Sequence, residues 1–238
     1  MDHRCQGLGY PLWLAGLSAV AALSAGPTWA MQTGEGYAVP TLTAPTAVSP
    51  ALAPAPLAPE HPAPALMPTP EQMEQAQALN DRGVTAARRG ALGEAIALFQ
   101  EAIALYPAYE NAHNNLGIAL GRQGRFAEAE AIFLQAVVIN TRNFETHNNL
   151  GIALASQGKY TEAEAAFRQA IALNPTDPEA YQHLGLALAY QGKIPDAIAQ
   201  FERAKQLYSA LGEVAAVQRL DQILQQARSA GGGAGRSQ

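Results

Sequence analysis

The strongest constraint on this chain is a register of glycines. Gly83, Gly117, Gly151 and Gly185 stand 34 residues apart, and Gly90, Gly124, Gly158 and Gly192 keep the same interval. Three more columns share it: Ala95, Ala129, Ala163 and Ala197; Phe99, Phe133, Phe167 and Phe201; Ala102, Ala136, Ala170 and Ala204. Composition bias does not align five columns over four copies without an insertion. A period of this length marks stacked supersecondary units, none of which buries its own apolar face, so each must lie against the next.

The spacing within one unit predicts two helices. In residues 144–177, Leu150, Gly151 and Leu154 share one helical face, and Ala163, Phe167, Ala170 and Ile171 recur at helical intervals on a second. Gly158 falls between them, where a helix ends in a left-handed residue that glycine adopts cheaply. Gly151 and Ala163 are small enough to let the two helices approach, and Phe167 fills the space between them. Pro175 helps to stop the second helix, while Pro178 and Pro195 suit first turns, where a missing N–H does no harm.

These columns resemble the signature of the tetratricopeptide repeat (TPR) family over residues 76–209. The pattern departs from that signature at the opening aromatic, which is Leu79, His113, His147 or Tyr181, and at the closing proline, kept only as Pro107 and Pro175 and replaced by Thr141 and Ser209. The resemblance implies an all-α, right-handed superhelical TPR solenoid of four helix-turn-helix repeats, nine helices with a C-terminal capping helix. The expected repeats are 73–109, 110–143, 144–177 and 178–209, followed by a capping helix over 210–228 and a disordered tail over 229–238. In the cap, Val214, Val217, Leu220 and Leu224 form the expected apolar stripe.

The residues before the repeats have another character. A weakly basic start with His3 and Arg4, an apolar run over residues 12–25, and Thr28 and Ala30 before a cut predict a secretory signal peptide over 1–30. The run is shorter than the roughly 20 residues that cross a bilayer, which favours cleavage over an anchor. An uncleaved anchor, or a cytoplasmic product started at Met31, are the alternatives. Residues 31–72 are rich in proline and alanine and predict a disordered, polyproline-like linker. The single cysteine, Cys5, allows no internal disulfide and lies within the expected signal.

In the TPR family the first helix of each repeat lines a concave groove. Here those helices contain the segments AHNNLGIAL and THNNLGIAL, which place Asn114 and Asn115, then Asn148 and Asn149, at matching positions. Asn80 and Asp81 stand there in the first repeat, and Gln182 and His183 in the last. Asparagine favours caps and turns over helix interiors, so its repetition asks for a reason. Its amide both donates and accepts, and can pair with the backbone of an extended peptide; the other reading is that these amides solvate the groove or bond neighbouring turns of the array. The pattern is similar to the asparagine ladder in the TPR superhelix of O-linked N-acetylglucosamine transferase, which by position would carry over to Asn115 and Asn149. Ile118, Ile152 and Arg122 complete the expected peptide-binding groove. The apolar Val84, Ile118, Ile152 and Leu186, with no lysine, leave no clamp for a terminal carboxylate.

Other functions find little support. The formal charge of −5 and the absence of a basic stripe argue against nucleic acid. His113 and His147 are one repeat apart, about 10 Å by ordinary helix spacing, too far to share a metal ion. No nucleophile–base grouping and no phosphate-cradling loop is present, so no catalytic residue, metal or other cofactor is expected. The expected function is a protein–protein interaction scaffold that binds a protein or peptide segment in its groove, exported to the periplasm or secreted, with no membrane contact beyond the signal. The alternatives are an assembly factor or structural subunit of a cell-envelope complex, or an accessory partner of a separately encoded enzyme. Exposed Ile118 and Ile152 would favour peptide capture, and an apolar convex patch would favour assembly.

Overall fold

The computed structural model describes residues 67–233, with side chains to residue 229. The expected signal peptide and residues 31–66 of the linker lie outside the described residues. Among the described residues there are nine α-helices and no strand: α1 (Pro70–Arg88), α2 (Leu92–Leu105), α3 (Glu110–Arg122), α4 (Phe126–Ile139), α5 (Phe144–Ala155), α6 (Tyr160–Leu173), α7 (Pro178–Tyr190), α8 (Ile194–Ala210) and α9 (Val214–Gly233). They form four hairpins, α1/α2 to α7/α8, with α9 as the cap.

Each hairpin is locked at the same place. Phe99, Phe133, Phe167 and Phe201 are buried and press their rings on Gly83, Gly117, Gly151 and Gly185, so closely that a Cβ at each glycine would lie 2.5–2.6 Å from a ring carbon. The alanine columns beside them are fully buried. Large ring against bare backbone is therefore the unit of packing, and burying each Phe contributes about 1.5–3 kcal/mol.

One turn recurs between the helices of each hairpin. Gly90, Gly124, Gly158 and Gly192 have φ between 77° and 81°, and the residue after each donates its N–H back to a carbonyl five residues earlier, as from Lys159 to Leu154 at 3.1 Å. Gly212 adopts φ 76° and makes a fifth such turn, with Glu213 donating to Tyr208. The fourth hairpin therefore leads into the cap by the same tight turn used inside hairpins. To reach it, α8 continues to Ala210, and the capping helix begins at Val214 rather than at 210.

The ends differ from expectation in three further ways. Helix α1 opens at Pro70, inside the segment expected to be linker, because Thr69 and Gln72 form a reciprocal capping box: the Thr69 Oγ1 accepts from the Gln72 N–H at 3.2 Å, and the Gln72 Oε1 accepts from the Thr69 N–H at 2.8 Å. Helix α9 continues as far as Gly233, so the expected disordered tail is helical to that residue. In α9 the buried stripe is Ala216, Leu220, Leu224 and Ala227, whereas Val214 stands 66% exposed, because the turn at Gly212 sets it outside the contact with α8.

Successive first helices touch one another, α1 with α3, α3 with α5 and α5 with α7, while successive second helices make no comparable contact. The closer spacing of the first helices bends the stack toward them. They line its inner face.

Candidate interaction groove

The inner face presents one stripe per first helix, at the i, i+3/i+4, i+7 spacing that aligns side chains on a helix. On α3 it runs Asn111, Asn114 and Asn115, Ile118; on α5, Glu145, Asn148 and Asn149, Ile152; on α7, Glu179, Gln182 and His183, Leu186.

The structure brings the asparagines together across repeats. The Asn115 Nδ2 donates to the Asn80 Oδ1 at 2.8 Å, the Asn149 Nδ2 donates to the Asn114 Oδ1 at 3.1 Å, and the His183 Nδ1 donates to the Asn148 Oδ1 at 3.0 Å. Each bond joins residues 35 apart, one repeat plus one residue, so the later helix always donates and the earlier always accepts. His183 is buried, and burial holds its imidazole down at about 4, neutral at physiological pH. The ladder answers why asparagine recurs mid-helix: its amides bond neighbouring helices of the array. It uses half of each amide. The amino groups of Asn80, Asn114 and Asn148 and the Oδ1 atoms of Asn115 and Asn149 have no partner within the chain. Asn80 and Asn148 are only 6% and 7% exposed, yet their amino groups are not among the enclosed orphan atoms, so they open to solvent.

The other expected groove residues are placed as follows. Ile118 and Ile152 are half-buried and pack against the main core, forming a floor rather than exposed knobs. Arg122 is half-buried and donates to the Ala87 carbonyl at 3.3 Å, tying α3 to the end of α1. His113 donates through Nδ1 to the Tyr109 carbonyl and His147 through Nε2 to the Thr141 carbonyl, both at 3.1 Å. Among the described residues no three His, Cys, Asp or Glu side chains converge as metal ligands. No helix among them is long and apolar enough to cross a membrane.

Two features escaped the sequence reading. The first is an acidic rim at the N-terminal ends of α5 and α7. Burial, then the charges of Asp177 and Glu110, raise the proton affinity of Glu145; burial, then Asp177 and Glu145, raise that of Glu179. Asp177 is raised by burial, against the opposing pull of the Glu179 and Ala180 N–H groups that it caps. Glu145 and Glu179 keep much of their surface exposed, so desolvation is partial and mutual repulsion distinguishes them. The signal was present: Glu145 and Glu179 are themselves 34 apart. The second feature is on the outer face, where Leu134 and Val138 of α4 are 48% and 81% exposed. The other hairpins carry Gln100 and Ala104, Arg168 and Ala172, and Glu202 and Gln206 at these positions.

Family comparison fits this architecture. Models described as tetratricopeptide repeat match residues 108–176 and 148–211, and a TPR repeat model matches residues 87–124. The chain is a TPR protein. A thermophilic TPR protein of Thermus thermophilus is similar at 25% identity and a TM-score of 0.56, over 65% of this chain and 84% of its own. MamA shares the fold at 24% identity and a TM-score of 0.55, over 58% of this chain and 81% of its own. The first TPR of Spaghetti, bound to an HSP90 peptide, shares it at 23% identity and a TM-score of 0.50, over 50% of this chain and 95% of its own. No curated protein matches the chain in sequence. The TPR fold makes this chain an interaction scaffold in the general sense.

Proposed function

We propose that this TPR array holds an extended segment of a partner protein along its inner groove and performs no catalysis. The half-used asparagine ladder carries the reading. Its open amino groups and carbonyls recur at repeat spacing, and are the complement of a peptide backbone's own C=O and N–H groups. A side-chain-independent grip of this kind suits a scaffold. The experiment is affinity purification of the tagged protein and of its Asn115→Ala/Asn149→Ala variant, read by mass spectrometry. Loss of partners with unchanged helicity is expected; equal recovery of the same partners refutes the groove.

A second reading rests on Leu134 and Val138. An exposed apolar pair on the outer face, where other hairpins are polar or small, favours a structural subunit or assembly factor of a cell-envelope complex. In the same experiment, Leu134→Glu/Val138→Glu would remove the partners and the asparagine variant would retain them. We place either role in an exported compartment, on the strength of residues 1–30 alone; the N-terminal sequence of the native protein tests that placement.

A further inference from the structure

We propose that the occupant of the groove is a proline-rich segment in the polyproline II conformation, held by its backbone carbonyls on Asn80, Asn114 and Asn148 and by its rings on the apolar floor. The inference rests on the groove reading and adds the conformation and composition of the segment.

The open half of the ladder has a period. Asn80, Asn114 and Asn148 each accept with Oδ1 from the next hairpin, which leaves one amino group per hairpin to donate outward. They stand on α1, α3 and α5, successive first helices in direct contact, so neighbouring donors are about 8–10 Å apart. An α-helix has few carbonyls to give them, because its own N–H groups take all but the last. A β-strand rises about 3.3 Å per residue and presents the same edge every second residue, so its aligned carbonyls are about 6.6 or 13 Å apart. Neither spacing matches. A polyproline II helix has three residues per turn at about 3.1 Å each, so every third carbonyl repeats its direction after about 9.3 Å. It makes no internal hydrogen bonds, and those carbonyls are therefore open to the asparagines.

The floor repeats with the donors. Val84, Ile118 and Ile152 each follow a donor by four residues, one turn along the same helix face, and all three are half-buried against the core. One edge of a threefold helix can therefore give its carbonyls to the asparagines while the next edge lays a ring on each floor residue. Proline suits both edges. Its ring fixes φ near the value this conformation needs, so less chain freedom is lost on binding, and it supplies a flat apolar surface. It brings no N–H, and the ladder does not demand one: Asn115 and Asn149 are only half-buried, so their open Oδ1 atoms keep water when the groove is filled.

The test uses fluorescence anisotropy of the full chain with three labelled dodecapeptides at trace concentration: dodecaproline, four copies of Gly-Ala-Ala, and alternating threonine and valine. Dodecaproline is expected to bind at least tenfold tighter than either of the others. Asn114→Asp keeps the oxygen that accepts from Asn149 and removes the open amino group, so it should weaken dodecaproline at least tenfold with unchanged helicity. Ile152→Ala trims the floor, leaves the ladder whole and should weaken it severalfold, which keeps the test decisive if the added charge unsettles the fold. Leu211→Ser, at an exposed apolar residue beyond the groove, should leave binding unchanged. No binding of dodecaproline, equal binding of the alternating peptide, or binding that survives both groove variants overturns the proposal. If the alternating peptide binds best and Asn114→Asp weakens it, the groove reading stands and the polyproline occupant alone is refuted.

Discussion

Replacing Gly151 by alanine tests whether ring-on-backbone contact is what fixes the hairpins. A Cβ built there lies 2.5 Å from the Phe167 Cε1, 2.6 Å from Cδ1 and 2.8 Å from Cζ. Ordinary contact begins at 3.4 Å, so α5 and α6 must separate by about 1 Å, since a packed core has no slack to absorb it. The ring cannot retreat, because Phe167, Ala163 and Ala170 are all fully buried. Overpacking of this kind costs about 1–3 kcal/mol. Alanine in a helix interior gains back about 1 kcal/mol over glycine. The net loss expected is about 0–2 kcal/mol, with about 2–4 °C in Tm for each kcal/mol in a chain of this size. Urea and thermal unfolding followed by helical circular dichroism measure it. Gly121→Ala is the matched control: the position is buried in α3 and its Cβ would meet nothing within 4 Å, so the helix gain of about 0.5–1 kcal/mol should appear undiminished. Adding Phe167→Leu to Gly151→Ala should cost less than the sum of the single changes by about 1 kcal/mol or more. If Gly151→Ala stabilises the protein as much as Gly121→Ala does, the glycine column is not steric and the packing argument fails.

Two smaller predictions follow from buried polar atoms. His183 is held at about 4 in the fold against an ordinary 6.5, so the unfolded chain binds a proton that the folded chain refuses, and stability should fall as pH drops from about 6.5 to about 4, by up to about 3 kcal/mol. His183→Gln, which keeps a donor for Asn148, should flatten the decline of Tm between pH 7 and pH 4; an unchanged slope counts against the assignment. Thr146 is fully buried with its Oγ1 lacking a partner, at a position where Ala112 and Ala180 stand in neighbouring repeats. Thr146→Val keeps the shape and removes the orphan hydroxyl, and should raise stability by about 1 kcal/mol; a lower urea midpoint would show that the hydroxyl is bonded after all.

The hairpins were legible because each column repeats one physical requirement, and four copies of Gly151 against Phe167 leave one solution. The ends were less so. Gly212 stands outside the 34-residue register, so no column announced that it would copy the turn at Gly192 and carry the cap out of step. At the start, three prolines near residue 70 read as linker, while the capping box that uses Pro70 depends on Thr69 and Gln72 meeting in space. The asparagines were visible as a pattern, but the partner of each was not: a bond between residues 35 apart depends on how far one hairpin shifts along the next. The acidic rim hid behind its usual explanation, since Glu145 and Glu179 look like ordinary first-turn acids. Leu134 and Val138 hid behind theirs, because apolar residues in a second helix read as core.

The ladder also has a mechanical consequence for the groove. Inner-face bonds join hairpins one to two, two to three and three to four. At the turn end, Glu130 takes Gln157 and Lys159 from the next hairpin, and Glu164 takes Gln191 and Lys193, with Lys–Glu distances of 2.7 and 3.0 Å. Burial alone would raise Glu164, yet the hydrogen bonds from Lys193, Gln191 and Arg168 outweigh it and hold the carboxyl at about 2. The equivalent positions in the first and last hairpins are Ile96 and Ile198, which offer no such clamp. The second and third hairpins are thus stitched to their successors along both edges, by the ladder and by carboxylate clamps, while Arg122 on the Ala87 carbonyl ties the first hairpin to the second. Asn115, Asn149 and the rim at Glu145 and Glu179 lie across the doubly stitched part. A strand laid there meets a surface already ordered by its own bonds, which limits the conformational freedom the protein loses on binding.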